Sequence, residues 1–144
     1  MRNYLLKVPD HQWNASSPAK SSFQNLKIQY LGTAGFILSD QHRTIVLDPF
    51  ISRPNFWQTF TQPLLSDPTL VKKYIPNADD VLIGHAHYDH ILDAPEVCKQ
   101  TGARLIGSQA TLMYGRSAGL SESQMLETKG REIIECGQWQ VVGL

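Results

Sequence analysis

The chain has 144 residues, enough for one domain with a substantial core and too few for two. Its 42% hydrophobic and 18% charged residues give the balance of a folded protein and exclude a disordered tail. Thirteen basic residues match 13 acidic ones, so no net field attracts a polyanion, and nucleic acid is not an expected partner.

The opening Met1-Arg2-Asn3-Tyr4-Leu5-Leu6-Lys7 loses its apolar character at Lys7, before it reaches the length of a signal-peptide core. No run of about 18 apolar residues occurs, so no membrane span is expected. Residues 9–25 are rich in Pro, Ser, Asn and Gln around Trp13 and read as part of an extended arm over 1–25. The domain proper is expected over 26–144. From Leu26 to Leu38 the residues favour β structure, interrupted by Gly32 and Gly35, and Ile45-Val46-Leu47 resumes the pattern; this predicts an antiparallel hairpin ending at Asp48-Pro49.

Residues 50–66 combine Pro54 and Pro63 with Phe50, Phe56, Trp57 and Phe60, which predicts a loop packed by its own side chains, its aromatics filling core. Asp67-Pro68 supplies a cap and a first-turn proline for a short helix ending near Tyr74. Val81-Leu82-Ile83 is a buried strand. Asp93-Ala94-Pro95-Glu96 has capping-box spacing and Gly102 is a helix stop, so a helix is expected between them. Arg104-Leu105-Ile106 is a strand, Ser108 caps a helix that stops before Gly119, and residues 131–142 form two strands around Cys136-Gly137. Cys98 and Cys136 fit no metal or redox spacing and are expected as buried free thiols in a reducing, cytoplasmic setting. His11 and His42, in polar surroundings, are expected at the surface.

Gly84-His85-Ala86-His87-Tyr88-Asp89-His90 follows the buried strand directly, where α/β proteins place their sites. Three of the chain's five histidines fall within these residues, too concentrated for a chance surface loop. Imidazole and carboxylate donors suit zinc, iron or manganese, and the absence of a thiolate argues for an open, water-bearing centre over a closed structural one. A locally extended backbone would turn His85 and His87 to one side, with Asp89 and His90 on the turn beyond.

His-x-His-x-Asp-His after an apolar strand resembles the signature of the metallo-β-lactamase fold. The resemblance extends over about residues 26–142 and is most like the lactonase and phosphodiesterase-like branch, which includes ascorbate-phosphate lactonase relatives. It implies an α/β fold: the first half of an αβ/βα sandwich, with a mixed, mostly antiparallel sheet and helices on one face. It implies that His85 and His87 hold one metal, that Asp89 and His90 hold a second, and that Asp48, ending the opening hairpin, sits behind them; an ordinary Asp-Pro turn is the alternative for Asp48. One or two divalent ions are expected, zinc first, with manganese or iron as alternatives. The implied activity is attack of metal-bound hydroxide on an ester, lactone or phosphodiester of a small-molecule substrate, with Asp89 orienting the water and taking its proton.

Members of the fold carry a further histidine, a bridging aspartate and a last histidine downstream, whereas no histidine follows His90 and no aspartate follows Asp93 in this chain. The expectation is a truncated first half with weak or no activity alone, whose apolar inner face is covered by a second polypeptide or by self-association. A non-catalytic metal-binding or interaction half-domain and a nuclease of the same superfamily are the alternatives.

Overall fold

The computed structural model describes residues 26–142; the expected arm over 1–25, with Trp13 and His11, lies outside the described residues. Strands β1 (Lys27–Gly32), β2 (Gly35–Ser39) and β3 (Thr44–Leu47) form an antiparallel meander, one strand more than the single hairpin expected, because Gly32 turns the chain between β1 and β2. Gly32 adopts φ 95° there, a conformation that costs a glycine little.

Helices α1 (Phe56–Thr61) and α2 (Pro68–Tyr74) lead to β4 (Asp80–Leu82), then α3 (Tyr88–Ile91), α4 (Ala94–Thr101), β5 (Arg104–Gly107), α5 (Gln109–Ser117), β6 (Met125–Glu127) and the hairpin β7 (Ile133–Cys136) and β8 (Trp139–Val142). One sheet runs β1-β2-β3-β4-β5-β6; β7 and β8 make a second. The main sheet is mixed as expected, but its weight is on parallel pairing: β3-β4, β4-β5 and β5-β6 are parallel and only β1-β2 and β2-β3 are antiparallel. Helical crossovers between β3, β4 and β5 leave no other option, since a tight turn cannot join parallel strands.

The central strands are buried on both faces, and their side chains alternate between two cores. Val46, Val81 and Leu105 face the helices and pack with Val71, Ile75, Val97 and Cys98. Ile45, Leu82 and Ile106 face the opposite side and pack with Ile134 and Cys136 of the second hairpin. The helices thus lie on one face, and the face expected to stand open is partly closed by β7-β8. A cavity of about 380 Å³ remains there, lined by Phe36, Leu47, Leu82, Ile106, Ile134 and Val141 among others.

The hairpin is latched at the N-terminal ends of the parallel strands. Asp80 has no solvent exposure and meets Arg43 at 2.6 Å and Arg104 at 2.7 Å. Arg104 also donates to the Glu135 carbonyl at 3.0 Å, while Asp40 accepts from Gln138 Nε2 and Trp139 Nε1 at 2.6 and 2.8 Å. Burial pushes the Asp80 carboxyl up, but the hydrogen bonds from Arg43 and Arg104 outweigh it and hold it below its ordinary value.

Cys98 and Cys136 are buried free thiols as expected, pushed up by burial to about 12 and about 11. His42 is exposed, also as expected. No helix among the described residues is long and apolar enough to cross a membrane.

Three expectations for local structure need correction. Part of the expected loop is the helix α1, Phe56–Thr61, on which Trp57 is 74% and Phe60 72% exposed, so these two rings do not fill core. The helix forms because Asn55 and Gln58 make a reciprocal capping box, an Asn-x-x-Gln spacing that the sequence itself displays. Asp93 does not cap α4; its side chain turns away from the helix and serves the 50–66 loop instead. By contrast Asp67 caps α2, accepting from Thr69 and Leu70 amides, and Gly102 ends α4 in a left-handed conformation.

Candidate metal centre

Strand β4 delivers the chain to the C-terminal edge of the sheet, where Ile83 N–H still pairs with the Ile106 carbonyl at 2.9 Å. From Gly84 the backbone leaves the sheet, and α3 begins at Tyr88 with His87 at its cap position. His87 has an extended backbone, φ −84° and ψ 157°, and its ring meets that of His85: His85 Nε2 lies 2.7 Å from His87 Nδ1 and the ring centroids are 4.0 Å apart. The helical turn then carries Asp89 and His90, with His90 Nε2 3.8 Å from Asp89 Oδ2. The His85 and His90 rings are 5.4 Å apart, so both pairs belong to one cluster.

Asp48 stands behind the loop. It follows β3 with a left-handed backbone, φ 40°, unusual for a residue with a Cβ. Its Oδ1 accepts from Gly84 N–H at 2.8 Å and its Oδ2 faces His90 Nδ1 at 3.2 Å. That Nδ1 is buried and, although 3.2 Å from the carboxylate, has no hydrogen-bond partner. All five residues singled out in the sequence are therefore adjacent in space.

The donors fit a divalent transition metal in kind, and their geometry is that of two half-formed pairs. Ligands 2.0–2.1 Å from a tetrahedral ion lie about 3.3 Å apart, so the His85–His87 nitrogens need to open by about half an ångström to accept one. Among the described residues no group of three or more His, Cys, Asp or Glu side chains is disposed to enclose an ion. Each pair would need further donors.

The sequence spacing assigns Asp93 to a helix cap, yet it is a fully buried carboxylate tied to the loop that follows Asp48. Its Oδ2 accepts from the Ile51 and Ser52 amides at 2.5 and 2.8 Å, and its Oδ1 from the Ser52 and Ser66 hydroxyls, each at 2.5 Å. Phe50, between Asp48 and this anchor, meets Tyr88 edge-on at 5.9 Å. Two cavities share Ile83, Gly84 and Thr128: the apolar one between the sheets, and a polar one of about 470 Å³ lined by Ser108, Gln109, Glu127 and Lys129.

Residues 43–142 match the family model described as the beta-lactamase superfamily domain. The chain is 30% identical over 120 residues to a UPF0173 metal-dependent hydrolase of Methanopyrus kandleri, covering 79% of this chain and 47% of that protein. It is 32% identical over 113 residues to one from Methylacidiphilum infernorum, covering 78% and 45%. The chain thus spans about half the length of the curated relatives it matches. Among solved structures it resembles Igni18, a metallo hydrolase from Ignicoccus hospitalis, with TM-score 0.54 and 26% identity over 76% of this chain and 42% of that one. The fold is also that of CmlA, a diiron beta-hydroxylase from Streptomyces venezuelae, with TM-score 0.57 and 19% identity over 83% and 23%. With more than half of its residues inside the matched model, this chain belongs to the metallo-β-lactamase superfamily.

Proposed function

We propose that the chain supplies the first metal-ligand half of a metal-dependent hydrolase acting on a small-molecule ester, lactone or phosphodiester. The observation that carries the proposal is the convergence of His85 Nε2 with His87 Nδ1 at 2.7 Å, next to the Asp89–His90 pair and braced by Asp48. Nitrogen and oxygen donors without thiolate place zinc first, with manganese or iron as alternatives. A divalent ion bound there supplies Lewis acidity and lowers the pKa of the attacking water toward neutrality.

The chain's own residues divide the remaining work. Asp48 holds the loop by its Gly84 amide and orients the His90 ring from the Nδ1 side, leaving Nε2 on the side of Asp89. Asp89 is a partly exposed carboxylate at the start of α3, able to orient a water and accept its proton. The apolar and polar cavities meeting at Gly84 have the sizes expected of small-ligand pockets, which favours a small substrate over a polymer. Donors beyond these two pairs come, on this reading, from polypeptide outside residues 26–142.

Cobalt titration of the chain, followed by visible absorption, tests the metal half of this proposal. Binding that disappears in both His85→Ala and His87→Ala is expected; binding unchanged by either substitution overturns it. For the hydrolytic half, a preparation in which the site is completed should cleave ester, lactone or phosphodiester substrates until a chelator is added. There Asp89→Asn should lower kcat by about 100-fold or more with little change in KM, in line with loss of a general base.

A further inference from the structure

We infer that Asp93 is a positioning residue for the metal loop, acting through Asp48; the inference rests on the metal-site reading above. Asp93 lies three residues after His90, at the junction of α3 and α4, so only Ile91 and Leu92 separate the two residues along the chain. Its carboxylate grips the Ile51 and Ser52 amides from Oδ2 and the Ser52 and Ser66 hydroxyls from Oδ1, four bonds to a side chain with no solvent exposure.

Only Pro49 and Phe50 separate Ile51 from Asp48. Pro49 is buried and fixes its own φ, so little slack remains between the gripped amides and the carboxylate that faces His90. The far end of that lever is Asp48, held at φ 40° with Oδ1 on Gly84 N–H and Oδ2 at 3.2 Å from His90 Nδ1. Asp93 therefore closes a ring: His90 to Asp93 through the short turn that links α3 to α4, Asp93 to Ile51 through hydrogen bonds, Ile51 to Asp48 through the chain, and Asp48 back to His90. Within that ring Asp48 is held from two sides, by the Asp93 anchor two residues beyond Pro49 and by its own N–H donating to the Leu82 carbonyl of β4 at 3.1 Å. The Ser52 hydroxyl extends the tie, accepting from Asp67 N–H at 2.6 Å where α2 begins.

An ordinary structural anchor would lose its own bonds on substitution and leave Gly84 untouched, because Gly84 sits on another loop and contacts Asp48, not Asp93. Asp93→Asn cannot accept all four bonds, since its amide nitrogen only donates. In the metal-free chain, amide hydrogen exchange by NMR should then quicken at Ile51 and Ser52 and, about tenfold, at Gly84, while Val81 and Leu105 keep their wild-type rates. Cobalt affinity should fall by about 10- to 100-fold, the range seen when a group supporting a metal ligand is lost. The milder Ser52→Ala, which removes one of the four bonds, should give the same pattern at smaller size and decides the matter if Asp93→Asn does not fold. Faster exchange at Ile51 and Ser52 with unchanged Gly84 overturns the inference. Absence of cobalt binding in the wild-type chain would instead overturn the metal-site reading, while the Gly84 exchange rate, measured without metal, still decides whether Asp93 acts through Asp48.

Discussion

Strand β4 begins at one buried carboxylate and ends at a cluster of imidazoles, and the two ends are built on opposite electrostatic terms. At its N-terminal end Asp80 is enclosed by two guanidinium groups at 2.6 and 2.7 Å, each of which also touches or borders the β7-β8 hairpin. At its C-terminal end His85, His87 and His90 crowd together with partial exposure, and the His90 Nδ1 nitrogen is left without a hydrogen bond. Charges fully matched within the fold hold the scaffold together. The imidazoles bond mainly to one another, and on the metal-site proposal their role is to hold an ion.

Removing Asp80 should have the largest effect on stability of any change at either end of β4. Asp80→Ala takes from Arg43 and Arg104 the buried carboxylate that both bond, and breaking a buried pair costs about 3–5 kcal/mol. Both guanidinium groups keep some contact with water, at 24% and 38% side-chain exposure, so a loss near 3 kcal/mol is expected. Urea unfolding followed by tryptophan fluorescence measures it, and a loss under 1 kcal/mol would mean that the latch is incidental to the hairpin's position.

How much of this arrangement is legible in the sequence depends on which interactions are local. The strand and helix order from Asp67 to Gly119 is legible because Asp67, Gly102 and Ser108 act on their own neighbours. The side-chain cluster proposed to hold metal is legible for the same reason, all four of its candidate ligands lying within residues 85–90. What stays hidden involves partners distant in sequence. Asp93 satisfies the spacing of a cap, but Ile51 and Ser52 offer it two amides from 42 and 41 residues away, and that offer wins. Asp80's role depends on Arg43, 37 residues earlier, and Arg104, 24 residues later. Strand β6 escapes the sequence pattern because Met125–Glu127 is short and pairs in parallel with β5, with no turn signal to announce it. The exposure of Trp57 and Phe60 escapes it too, because aromatic content alone does not say which side of a capped helix faces out.

Acid sharpens the same contrast with a smaller effect. Asp80 has a folded value below its ordinary 3.8, so its contribution is fully present above that value and is lost as pH falls below it toward the folded value. The arginines stay charged throughout, so protonating Asp80 recreates the uncompensated state of Asp80→Ala by titration alone. The urea midpoint should therefore be level from pH 7 to about 5 and fall below about pH 4. Asp40 and Glu132 are held low as well, mainly by the His42 and Lys129 amides respectively, and add to the fall. For that reason the telling quantity is the difference between wild type and Asp80→Asn, which should have a shallower acid slope; equal slopes would remove Asp80 from the account.

At the other end of β4 the expected effect on stability is close to nothing, and that is the stringent prediction. His85 is exposed and His87 adjoins it at the cap of α3, and neither side chain forms a hydrogen bond beyond the contact between their rings. His87 occupies the cap position of α3 but its side chain makes no capping bond, so alanine there removes none of the usual N-cap energy. The interactions at stake are the His85 Nε2–His87 Nδ1 hydrogen bond at 2.7 Å and the His85 ring contacts with His87 and His90 at 4.0 and 5.4 Å, all made by an exposed side chain and therefore worth little. His85→Ala and His87→Ala should each change the unfolding free energy of the metal-free chain by no more than about 0.5 kcal/mol, as for surface positions away from structural features, while abolishing the cobalt response. A loss of 2 kcal/mol or more in either variant would show that these histidines hold the scaffold as Asp80 does, and the division of β4 into a structural end and a ligand end would fall.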